Sequence, residues 1–338
     1  MKEVRIEDSA GLTLAYDLTE IVPGQRKGAV LRRGHIIRES DLETLRRIGK
    51  STIKVLELEA NEVHEDEAAV RLAAMIAGRG LEVTRPGEAW ADVKASIDGL
   101  LRVASPALLA INSIGELLVA TLHNGTPVKR GTLVAKAKVL GLMVGQERLS
   151  QAHGVATWGP VLQVLPFRKV SAGLVVTGRE IYEGRVKEAF GPLLRDRLAE
   201  YGGEIAHSVV VPDEVEPIVE AIRGLLARGV DLVMVTGGMS PDDCTPEAVR
   251  RSGAEMAFYG APVSPGAMTL LAYVGAVPIV GVPAGLLAKP RGFLDTLLPR
   301  LLVGERLGVP EVARFGEGGL CLACPTCVFP ACPFGKGG

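Results

Sequence analysis

Residues 231–246 read DLVMVTGGMSPDDCTP. An unbroken apolar run from Leu232 to Val235, followed by Thr236, two glycines and a polar loop ending on Thr-Pro, is the pattern of a strand buried on both faces that opens into a loop and a new helix. The same switch of period recurs on either side. AGLVVTG (172–178) is a second continuous strand. VKEAFGPLLRDRLAEYGG (186–203) places Val186, Phe190, Leu193, Leu194 and Leu198 at helical spacing and stops at two glycines. EIAHSVVVP (204–212) predicts a strand and DEVEPIVEAIRGLLARG (213–229) a helix, with Asp213 as N-cap and Gly229 as its stop. Beyond them come a helix opened by Thr245 and Pro246, a strand at VPIVGVP (277–283) and a closing helix within 291–307. Continuous strands alternating with amphipathic helices predict a three-layer α/β domain with a mostly parallel sheet over residues 171–308.

The first 170 residues follow another pattern. KGAVLRRGHIIRESDLETLRRIGKSTIKVLE (27–57) predicts a small α+β subdomain over 1–60. A helix at HEDEAAVRLAAMIAGRG (64–80), closed by its glycines, and short strands in 116–144 with a turn at Asn124 and Gly125 predict a mixed subdomain over 61–170. A cysteine-rich tail occupies 316–338.

The chain has 338 residues, 47% of them hydrophobic, enough for sizeable cores. With 38 basic against 39 acidic residues and a net charge of −1, no global field draws in nucleic acid or anionic lipid, and no nucleic-acid partner is expected. The start, MKEVRIEDSAGLTLAYDLTE, lacks the apolar core of a secretory signal, and a cytoplasmic location is expected. Residues 260–288 carry no charge and are long enough to cross a bilayer. Pro262, Pro265, Pro278 and Pro283 divide that run, which reads instead as a buried helix, turn, strand and loop, with no membrane partner. A homo-oligomer is compatible with the sequence.

In an open parallel sheet, ligands bind beyond the carboxyl ends of the strands. Two such loops open with Thr-Gly: TGREIYEGRVKEAFG (177–191) and TGGMSPDDCTP (236–246). Gly237 and Gly238 allow positive φ and close backbone approach, so successive N–H groups can form an anion nest, to which Thr236 and Ser240 add hydroxyls. The start of the following helix adds about 0.3–1 kcal/mol for a bound anion. Asp242 and Asp243 at the rim imply a divalent cation or a proton to move. The plainer alternative is a tight turn whose aspartates cap the next helix. Cys244 reads either as a thiol near this site or as a small half-buried side chain. His64, Glu65, Asp66 and Glu67 offer ligands, but an acidic first turn also simply complements a helix dipole.

These loops carry a family resemblance. From about Gly173 to Gly304 the chain resembles the molybdopterin-binding domain of molybdenum-cofactor biosynthesis proteins, the fold of molybdopterin adenylyltransferases and molybdotransferases. TGREI, GRVKEAF, VVVPD, DLVMVTGGMSPDD and PGAMTLLAYVGAVPIVGVP match it in order. The resemblance implies a molybdopterin ligand bound through Thr177, Gly178, Glu180, Thr236, Gly237, Gly238, Ser240, Asp242 and Pro283. It further implies that Asp243 and Glu188 handle Mg²⁺, molybdate or tungstate. Glu188, Ala189 and Phe190 stand where the molybdotransferases have Asp-x-Asn, GGMSPDD replaces their Gly-Gly-Val-Ser-Val-Gly-Asp, and VPAGL keeps only Pro283 of Leu-Pro-Gly-Asn-Pro. Metal insertion or nucleotide transfer, a carrier delivering cofactor to an apo-molybdoenzyme, and a phosphate hydrolase on the same fold all follow from such a site.

Four of the five cysteines, Cys321, Cys324, Cys327 and Cys332, fall within twelve positions. Their spacing, followed by Pro333, is that of a ferredoxin run with one extra residue before the last cysteine. An iron–sulfur cluster, a zinc ion and unmetallated thiols are the alternatives.

Overall fold

Leu174 and Val176 enter one hydrophobic core, and Val175 between them enters another. On the neighbouring strand Leu232 and Met234 alternate in the same way with Val233 and Val235. This is the period-2 signature of a sheet buried on both faces. The computed structural model describes residues 2–22, 26–56, 61–87 and 89–336. The last residues of the 1–60 subdomain and of the 316–338 tail read from the sequence lie outside the described residues.

The sheet's strands are β1 (Ser171–Thr177), β2 (Glu204–Val211), β3 (Leu232–Gly237), β4 (Glu255–Tyr259), β5 (Leu270–Val274) and β6 (Val277–Pro283). Their order is β2-β1-β3-β6-β5-β4. The first four run parallel, while β5 and β4 complete the sheet antiparallel. The helices are α1 (Arg179–Tyr182), α2 (Phe190–Ala199), α3 (Val215–Ala227), α4 (Thr245–Arg251), α5 (Phe293–Leu302) and α6 (Val309–Ala313). Phe190, Leu194 and Leu198 of α2 share a core with Phe293, Leu297 and Leu301 of α5. Ile218, Ile222 and Leu225 make the apolar stripe of α3 on the opposite core, with Ala248 and Val249 of α4. Each large apolar side chain buried there contributes roughly 1.5–3 kcal/mol. The fold is the three-layer α/β arrangement read from the sequence.

Three local readings within this domain are corrected. Val186 is exposed and precedes α2, because the Glu180 carbonyl accepts from the Arg185 and Val186 N–H groups and closes the loop there. The apolar run of 260–288 contains β5 where a buried helix was expected, and β5 pairs with β6 as a hairpin. A short continuous apolar run has no period that separates the two. Asp213 does not cap α3, whose N-cap is Glu214.

The chain divides into two units, one of Met1–Ser96, Ala104–Leu122 and Gly131–Gln163, the other of Ile97–Val103, His123–Arg130 and Val164–Gly338. The six-stranded sheet belongs to the second. In the first, four antiparallel strands, ordered Leu81–Gly87, Trp90–Ala95, Leu133–Val139 and Leu117–Thr121, form one sheet. The helix Glu65–Ile76 buries Ala68, Ala69, Leu72, Ala73 and Ile76. It closes at Ala77, in extended conformation, rather than at the glycines beyond. A separate core of Ile6, Leu14, Leu18, Ile37, Leu45 and Ile53 lies within residues 2–56. Among the described residues no helix is long and apolar enough to cross a membrane.

Candidate functional site

From β1 the chain steps to β2 on one side and returns to β3 on the other, so the loops leaving the carboxyl ends of β1 and β3 diverge and open a crevice. Thr177 and Thr236 stand side by side at the ends of these two strands. The Thr177 hydroxyl donates to the Thr236 carbonyl at 2.9 Å. Gly237 has φ +119°, and a Cβ there would stand 1.9 Å from Thr177 Oγ1. Only glycine permits that approach. Gly237 is in register with Pro283 at the end of β6. Thr177, Gly178, Thr236, Gly237 and Pro283 therefore lie along one edge of the sheet.

Two hydroxyls beside this edge are buried without a partner among the described residues: Thr236 Oγ1 and Thr245 Oγ1. Leaving such a group unpaired costs about 1–3 kcal/mol, a penalty that a bound acceptor or donor relieves. Sequence reading selected Thr236 and used Thr245 only as a helix opener. The field assigned to that helix is curtailed, since α4 has only seven residues.

The loop after β3 is folded on its own carboxylate. Asp243 lies against the bare backbone of Gly238, where a Cβ would meet its carboxylate at 2.4–2.7 Å. The Ser240 N–H donates to Asp243 Oδ2 at 2.6 Å, and the Asp243 N–H donates back to the Ser240 carbonyl at 3.0 Å. Gly238, Ser240 and Asp243 are thus brought together, with the chain's own anion on the Ser240 N–H rather than on the hydroxyl assigned to phosphate. Asp242 is exposed. Tyr259 pins the same loop by donating to the Met239 carbonyl at 2.6 Å. Burial raises its pKa above the usual phenol value and keeps that donor protonated. Nothing in the sequence marked Tyr259, which sits far along the chain on β4.

The other acidic residues take separate partners. Glu188 Oε1 accepts from the Gly191 N–H in the first turn of α2 at 2.7 Å. Glu180 is exposed on α1. Cys244 donates its thiol to Asp213 Oδ1 at 3.0 Å, and burial together with that carboxylate pushes the thiol up to about 12. In the first unit, the His64–Glu67 cluster is a helix cap. His64 Nδ1 accepts from the Asp66 N–H at 3.2 Å, and the Asp66 carboxylate holds Arg33 at 2.8 Å and Arg85 at 2.7 Å. Among the described residues no three His, Cys, Asp or Glu side chains are grouped to hold one metal ion.

The cysteine tail docks on the second unit's core. Phe334 is buried in it, and Cys321, Phe329 and Cys332 pack against it. The Cys321 N–H donates to the Ser264 carbonyl at 2.8 Å, and the Gly335 N–H closes the loop on the Gly318 carbonyl at 2.9 Å. The sequence held no periodic signal for this docking, which rests on single aromatic side chains.

Fold and sheet topology together define a three-layer α/β domain. Residues 173–302 match the family model described as "Probable molybdopterin binding domain". Residues 3–57 match a model described as a domain of unknown function. A CinA-like protein of Mycobacterium avium is 46% identical over 82 residues, 24% of this chain and 19% of that protein. A CinA-like protein of Mycobacterium tuberculosis is 43% identical over the same length. The chain thus spans about a fifth of the length of these curated relatives. A crystal structure of the molybdopterin biosynthesis enzyme MoaB from Thermus thermophilus is similar at 23% identity and a TM-score of 0.34, covering 41% of this chain and 99% of that one.

Proposed function

We propose that the second unit binds molybdopterin or its adenylylated form, with the phosphate over Thr236–Gly238 and the pterin along the edge from Thr177–Glu180 to Pro283. The observation that carries this reading is the Thr236 hydroxyl at the switch point of the sheet, buried and without a partner among the described residues, which a phosphate oxygen would satisfy. Asp243 and Glu188 then handle Mg²⁺ and a molybdate or tungstate oxyanion, and the chemistry is Mg²⁺-assisted metal insertion. For Asp243 to serve, its carboxylate must leave the Ser240 N–H, a change that the arriving phosphate drives by taking the same donor. The tail cysteines add a metal-binding element, iron–sulfur or zinc.

A second reading has its own support. Both acidic groups are engaged by backbone N–H groups of their own loops, an arrangement suited to binding without turnover. A carrier would hold the cofactor and release it to an apo-molybdoenzyme. Equilibrium binding of purified molybdopterin, followed by a molybdate-dependent transfer assay on wild type and Asp243→Ala, separates the two. Transfer by wild type and its loss in the variant supports the enzyme. Binding without transfer, with release on adding apo-molybdoenzyme, supports the carrier. Failure of the wild type to bind molybdopterin sinks both.

A further inference from the structure

Cys321, Cys324, Cys327 and Cys332 line a single cavity of about 230 Å³, which residues 288–291 and Phe334 also line. From this arrangement we infer that the tail is the site of one [4Fe–4S] cluster ligated by all four thiolates.

The size of the void decides between the metals. Zinc holds four thiolates at about 2.3 Å and draws their sulfurs together around one ion. A cavity needs only about 10–15 Å³ to admit a water, so a void of about 230 Å³ with the four cysteines in its lining accommodates a group of many atoms. All four cysteines are free thiols, so none is already committed to a disulfide.

The extra residue before Cys332 has a structural role. In the ferredoxin run the fourth cysteine ligates a different cluster. Here four residues, Val328–Ala331, separate Cys327 from Cys332, and the Ala331 N–H donates to the Val328 carbonyl at 2.8 Å. That turn directs Cys332 back to the cavity which Cys321 also lines. One run of sequence thereby supplies all four ligands.

Charge and scaffold agree with an anionic occupant. Lys289 and Arg291 line the cavity. Lys336 donates to Thr126 Oγ1 at 2.9 Å. The loop is already closed by the Gly335–Gly318 hydrogen bond and anchored by Phe334. Little chain ordering is then required on cluster binding.

The test uses the full chain, reconstituted anaerobically with sulfide and equal amounts of ferrous and ferric iron, and in parallel with zinc alone. About four irons and four sulfides per chain are expected, with a broad visible absorption that bleaches on reduction. Cys324→Ser and Cys327→Ser, at exposed positions outside the core, should each lower iron and sulfide retention at least fivefold with an unchanged circular-dichroism spectrum. One tightly held zinc per chain with no retained sulfide would overturn the inference, as would equal iron retention by wild type and a Cys324→Ser/Cys327→Ser double variant. Iron and sulfide are counted without any pterin, so the result stands apart from the proposed pterin site.

Discussion

The Thr177 hydroxyl and the Thr236 carbonyl, 2.9 Å apart, tie together the carboxyl ends of the two strands between which the sheet changes direction. Neighbouring backbone is fixed as a result. Gly237 is confined to positive φ directly beneath that hydroxyl.

Gly237→Ala should therefore be costly. Its Cβ would fall 1.9 Å from Thr177 Oγ1 at a φ of +119°, and a non-glycine residue in such a conformation costs on the order of 1–3 kcal/mol before the clash is counted. A lower urea midpoint for the second unit and at least a tenfold loss of molybdopterin affinity are expected. Thr177→Ala in the same chain removes the clashing oxygen and should recover part of both. An unaltered midpoint for Gly237→Ala would contradict the described geometry.

Thr236→Val separates ligand binding from stability. The wild-type hydroxyl is buried and unpaired among the described residues, so an isosteric methyl should leave the ligand-free protein as stable or more stable, by up to about 1–3 kcal/mol. Molybdopterin affinity should nevertheless fall. Thermal unfolding with and without ligand measures both, and equal affinity in the two proteins would remove the hydroxyl from the site.

The first unit should lose stability in mild acid. His64 donates through Nε2 to the Ala15 carbonyl and accepts at Nδ1 from the Asp66 N–H, which requires the neutral ring. Burial is the main cause that lowers its pKa, with Arg33 and Arg85 acting in the same direction. A histidine with a depressed folded pKa binds fewer protons folded than unfolded. Its contribution is complete above the unfolded value of about 6.5 and is lost as pH falls through the folded one. Urea midpoints at pH 7.5 and 5.5 should diverge for wild type and much less for His64→Gln.

Cysteine reactivity should be sharply divided in metal-free protein. With its thiol pushed up to about 12, Cys244 should be alkylated at pH 8 on the order of a hundredfold or more slowly than a free thiol. Exposed Cys324 and Cys327 should react first. Mass spectrometry of a brief iodoacetamide pulse reads the order, and rapid labelling of Cys244 would dispute its contact with Asp213.

How much of this was legible depended on whether a feature was periodic or conformational. Strands β1, β3 and β6 announced themselves as continuous apolar runs, and Ile218, Ile222 and Leu225 marked α3 by spacing alone. The glycines at 237 and 238 pointed to the crevice because their chemistry is local to the loop. What failed depended on partners distant in sequence. β5 is a strand because β6 pairs with it, and Asp213 serves the Cys244 thiol rather than a helix end. Asp243 turns back on Ser240, and Phe334 finds a core laid down by α5. No residue type or spacing encodes such meetings in advance.

The short helical turn Ala284–Ala288 follows Pro283 directly. At about 2.0 Å per residue it carries the chain only about 10 Å before Ala288 joins the wall of the cysteine cavity. A ligand that stiffens this segment from one end alters the work of binding at the other, and such coupling is thermodynamically reciprocal. If loading the tail tightens pterin binding by some factor, bound pterin must raise the tail's equilibrium affinity for its metal by the same factor. The state of the thiolates would then be read out as pterin affinity, making the segment a two-way sensor of the chain's inorganic load.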